Sequence, residues 1–90
     1  MKEFRIVILF EFIFCYEKVL KGDEWHFIWR NYKYLDPVGK ACYEASKALE
    51  INYVGFDVLM NENNEFVILE ANSGPIITDE VIDAFKKIIL

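Results

Sequence analysis

Apolar residues come in short dense runs along the first part of the chain and change to a helical spacing only beyond Asp36. Residues 4–9 (FRIVIL) and 12–20 (FIFCYEKVL) are rich in β-branched and aromatic side chains and predict strands. The Phe10-Glu11 pair between them holds no Gly, Asn or Asp to accept a positive φ, so one long strand and a hairpin both stand open. A hairpin about this pair sets Arg5 opposite Tyr16 and brings Lys18 to Arg5's side, where two cations could meet a phosphate or serve as ordinary rim salt bridges. Lys21-Gly22-Asp23-Glu24 reads as a turn and residues 25–30 (WHFIWR) as a third strand.

Asp36-Pro37 predicts a helix start, with Asp as N-cap and Pro in the first helical position. Val38, Ala41, Cys42, Ala45, Ala48 and Leu49 then recur at helical spacing as one apolar stripe, while Lys40 and Glu44 form an i,i+4 pair away from it. The helix should run to about Glu50 and pack on a sheet. A second helix is expected near the end of the sequence, capped by Thr78. Asp79 and Glu80 fall in its first turn, Lys86 and Lys87 near its end, and Val81, Ile82, Phe85, Ile88 and Ile89 on its apolar side.

Between the helices, residues 53–75 (YVGFDVLMNENNEFVILEANSGP) read as two apolar strands around an Asn/Glu tip, a β-hairpin stopped by Ser73-Gly74-Pro75. A turn centred between Asn63 and Asn64 sets Asp57 opposite Glu70 and Leu59 opposite Ile68, with Asn72 on the same face. The other face would carry Val54, Phe56, Val58 and Met60 with Val67, Leu69 and Ala71, an apolar surface for the first helix to cover. Like charges opposed in a sheet are destabilising, so the acid pair calls for compensation. A hard cation such as Mg²⁺ suits two carboxylates and an amide oxygen.

Composition narrows the classes. Ninety residues make at most one small domain. A hydrophobic share of 54% and an aromatic share of 17% argue for a compact core, or for apolar surface that expects a partner. Ten basic against fifteen acidic residues, net −5, speak against sequence-independent nucleic-acid binding, which needs a basic footprint. The apolar stretch near the start is interrupted by Arg5, Glu11, Glu17 and Lys18, which argues against a membrane span. Cys15 and Cys42 form no CxxC or Cys/His cluster and suggest reduced, mostly buried thiols in a cytoplasmic protein. His26 is the sole histidine, which leaves no basis for a His-rich zinc site or a Ser-His-Asp triad.

The order strand, strand, strand, helix, hairpin, helix, with VGKACYEASKALE, YVGFDVLM and FVILEANSGP in sequence, resembles the carboxy-terminal half of the ATP-grasp fold. The pattern G-x-D-x(12)-E-x-N carries that likeness. It implies a carboxylate ligase that uses ATP to make an acyl-phosphate for attack by an amine or similar nucleophile, as in the ribosomal-protein-S6 modification and glutathione synthetase groups. It implies Asp57, Glu70 and Asn72 as ligands of Mg²⁺ (or Mn²⁺), Leu59 as support for the adenine with Ile68 beside it, and Arg5 and Lys18 as phosphate contacts. Arg30 and Asn31 stand where the family carries further residues, though without its glycines. The expected fold is α+β: an antiparallel sheet of about four or five strands with both helices on one face. Residues 1–90 would be one partial domain, the carboxy-terminal subdomain, and well under half of a working enzyme. An upstream subdomain or partner chain would complete it, with a carboxylate and a nucleophile as the remaining partners.

Overall fold

The computed structural model describes residues 1–31, 35–74 and 78–89. Five strands, β1 (Lys2–Leu9), β2 (Phe12–Lys21), β3 (Glu24–Arg30), β4 (Tyr53–Met60) and β5 (Phe66–Ser73), form one antiparallel sheet in the order β3-β2-β1-β4-β5. Two helices, α1 (Asp36–Ala48) and α2 (Asp79–Ile89), accompany it. The α+β class, the antiparallel sheet and both helices agree with the sequence pattern.

The helices do not share a face. Phe4, Ile6 and Ile8 of β1 pack with Val54, Phe56, Val58 and Met60 of β4 under Leu35, Val38 and Cys42 of the α1 segment. The alternate β1 residues Val7 and Leu9 turn the other way and pack with Tyr16, Val81 and Ala84, the last two from α2. Side chains alternate across a strand, so α1 and α2 lie on opposite faces. FRIVIL is apolar without alternation because β1 is central and covered on both sides, the pattern of a doubly buried strand.

β1 and β2 do form a hairpin, with Arg5 opposite Tyr16 as expected. Phe10 takes φ +54°, a left-handed conformation unusual for a bulky residue. Its backbone is held from outside the hairpin: its N–H donates to Asn52 O at 2.6 Å and its carbonyl accepts from Lys47 Nζ at 3.1 Å. Those tertiary bonds do what a turn residue would otherwise do.

Helix α1 begins one residue earlier than its sequence cap suggests. Leu35 is the N-cap, with no side-chain cap bond, and Asp36 lies inside the first turn. The helix ends at Ala48, where Glu50 N donates to Lys47 O (3.1 Å) and Ile51 N to Ser46 O (3.0 Å), with Glu50 at φ +58°. This is a Schellman closure with glutamate where glycine is usual. The buried stripe is Val38, Gly39, Cys42 and Ser46, whereas Leu49 is 53% exposed. Ser46 is tolerated inside because its hydroxyl donates to Tyr43 O at 2.7 Å.

Thr78 caps α2 as expected, its Oγ1 accepting from Val81 N at 3.3 Å. Val81 and Ala84 are buried, while Ile82 and Ile88, expected on the apolar side, are exposed. Pro75 and the Ile89 side chain lie outside the described residues. Among the described residues no helix is long and apolar enough to cross a membrane.

Candidate functional site

The acid pair forms where the sequence pattern sets it. In the β4–β5 ladder Asp57 stands opposite Glu70 and Gly55 opposite Asn72. A β-bulge then shifts the register between Asp57 and Val58, so Val58 pairs with Ile68 and Leu59 with Val67. Leu69 is the extra residue. Ile68 therefore turns to the α1 side and packs on the core. The expected Leu59–Ile68 shelf is not formed; Leu59 stays beside the acids, with Val67 across from it. The same bulge leaves Val67 and Leu69 54% and 56% exposed rather than under α1.

The β1–β4 pairing sets Arg5 opposite Asp57. The Arg5 Nε–H donates to Asp57 Oδ1 at 3.0 Å, with both side chains partly buried. Asn72 Nδ2 donates to Glu70 Oε1 at 3.1 Å and to Asp57 Oδ2 at 3.4 Å. Two carboxylates that would repel are thus bridged by an amide and flanked by a guanidinium. Lys18 lies on the same face, 3.3 Å from Glu3 Oε2. Arg5, Lys18, Asp57, Leu59, Glu70 and Asn72 all occupy the α2 side of the sheet.

Arg30 is not among them. It is opposite Cys15 on the α1 side and pairs with Glu17 at 3.1 Å. Asn31 follows it at the end of β3, exposed.

An aromatic row that sequence reasoning passed over borders the site. Trp25, Phe27 and Trp29 of β3 stand opposite Leu20, Lys18 and Tyr16, all on the α2 side. The Arg5 guanidinium carbon sits 4.8 Å from the Phe27 ring centroid and Lys18 Nζ 5.0 Å from that of Trp25, both within cation–π range. The two-residue period of EWHFIWR was the available signal, since it groups these three rings on one face.

At the covered end, Tyr16 fastens α2 to the sheet. Its hydroxyl shares a 2.6 Å hydrogen bond with Thr78 Oγ1 and donates to Glu80 Oε2 at 3.3 Å. Burial, with the Glu80 charge added, pushes the phenol up to about 12. The side-chain bond with Thr78 holds the Glu80 carboxyl below its usual range.

Among the described residues no three His, Cys, Asp or Glu side chains gather as a metal-binding group. The face offers two carboxylates and one amide, a donor set that fits Mg²⁺, which takes one or two protein carboxylates and fills its shell with water and ligand phosphates. Asn72 presents its nitrogen to the acids, and a half-turn of the amide would present its oxygen instead.

Comparison of the chain with protein-family models, with curated proteins and with solved structures finds no match in any of the three.

Proposed function

We propose that the chain is the Mg–ATP-binding half of an ATP-grasp ligase, one that activates a carboxylate as an acyl-phosphate for an amine or similar nucleophile. The observation that supports it is the gathering of Asp57, Glu70 and Asn72 on the α2 side of the sheet, on the same face as Arg5 and Lys18. In this reading Asp57, Glu70 and Asn72 would hold Mg²⁺ or Mn²⁺. The ion neutralises charge on the nucleotide phosphates when bound. Arg5 and Lys18 add positive charge for the same phosphates, and Leu59 with Val67 offers the adenine an apolar support. A further segment or partner chain supplies the opposing surface. A cytoplasmic location goes with this reading, since ATP is the ligand and both thiols are free.

One observation favours a second reading, a non-catalytic ATP-grasp-like module. Asp57 is already satisfied by Arg5 and Asn72, so the acid face closes on itself without an ion. Calorimetric titration with Mg²⁺ and a non-hydrolysable ATP analogue separates the two. The ligase reading expects metal-dependent nucleotide binding that Glu70→Ala abolishes while the fold persists. Absence of any metal-dependent nucleotide signal, with or without a partner chain, favours the module.

A further inference from the structure

On the sheet face away from Asp57, a cavity of about 460 Å³ opens between the first turns of α1 and the β2–β3 edge. That size lies within the usual range of small-molecule sites, roughly 300–1,000 Å³. Ile13, Cys15 and Leu35 give it an apolar floor. Gly39 faces the floor closely, since a Cβ there would stand 3.1 Å from Ile13 Cγ2. Ile13 is nonetheless 42% exposed, an apolar side chain left open beside the packed α1 core.

Charge at the rim is specific. Arg30 is matched by Glu17. Asp36 and Lys40, one helical turn apart, both line the cavity and are exposed. Neither forms an ion pair with the other or with any described residue, and the Lys40–Glu44 pair suggested by the sequence is not made either. Asp36 also acts on the cavity interior: burial first, then its charge, pushes the Cys15 thiol up to about 11. An apolar floor below one carboxylate and one ammonium that no described residue pairs suits a ligand bearing both opposite charges. A hydrocarbon would match neither group, and a simple anion or cation only one.

We propose that this cavity binds a small zwitterion with an apolar side chain, a hydrophobic α-amino acid, with its ammonium on Asp36, its carboxylate on Lys40 and its side chain over Ile13. The site is independent of the nucleotide reading, because the sheet separates the two faces.

The test is a ¹⁵N–¹H NMR titration of the whole chain with L-leucine and with its two half-ligands, 4-methylpentanoate and isopentylamine. Leucine should shift the amides of Ile13, Cys15, Gly39 and Lys40. Each half-ligand should bind about tenfold more weakly, as should leucine to Asp36→Asn and Lys40→Gln. If a variant loses the wild-type spectrum, the half-ligand comparison on the unaltered chain still decides. No localised shift with leucine at about 10 mM, or half-ligands that bind as tightly as leucine, overturns the proposal.

Discussion

Arg5 decides the electrostatics of the acid face. It stands opposite Asp57 in the ladder, and its guanidinium bridges from that carboxylate to the Phe27 ring. Arg5→Ala would leave Asp57 and Glu70 facing each other with only the Asn72 amide between them. The expected loss is about 1 kcal/mol in urea unfolding, the size for a partly buried charged hydrogen bond. Glu70→Ala removes one of the crowded charges and should cost little in the same assay; a large loss there would make Glu70 a structural residue. The sequence placed both acids and Asn72 on one face of one hairpin, and Arg5 with Lys18 on one side of another, because two-residue alternation within a hairpin fixes which side chains share a side. It did not pair Arg5 with Asp57. That contact comes from β1 lying beside β4, which no local pattern encodes.

At the scale of elements, irregularities account for most of the differences between expectation and structure. Ile68 and Glu70 are two apart and in a regular strand would share a face; the bulge at Leu69 sends them to opposite faces. Nothing in FVILEANS marks that bulge, as no glycine stands there. The Phe10-Glu11 turn was equally hidden, because the bonds that hold Phe10 come from Asn52 and Lys47, far along the chain. Glu50 is a third such site. It closes α1 at φ +58°, where a side chain costs energy that glycine avoids. Glu50→Gly should therefore raise stability by about 0.5–1 kcal/mol, read as a higher urea midpoint at unchanged slope. A lower midpoint would mean that the glutamate side chain makes a stabilising contact.

Over the whole molecule, β1 is the shared wall between two cores, one under α1 and one under α2. Each core holds groups that resist ionisation. Burial pushes Cys42 up to about 12 and Cys15 to about 11, from an ordinary 9.0, and Tyr16 up to about 12 from 10.0. Unfolded, these groups lose protons first, so above about pH 9 the folded state binds more protons and stability falls as pH rises toward the folded values. Urea midpoints should be insensitive to these groups below pH 9 and decline above it. Replacing both cysteines with alanine should flatten the early part of that decline and leave the later part, due to Tyr16. The two-sided burial of β1 was legible in FRIVIL, yet the helices were expected on one face because hairpin alternation assigns sides without saying which side a later helix will take.

The proposed function requires the acid face to hold a divalent cation together with a nucleotide. Mn²⁺ is the direct probe, since its paramagnetism broadens the NMR signals of nearby amides. With a non-hydrolysable ATP analogue present, low Mn²⁺ should broaden Gly55, Asp57, Glu70 and Asn72, and Glu70→Ala should abolish the effect. Broadening confined to the Glu62–Glu65 tip, or none that depends on the nucleotide, would contradict it.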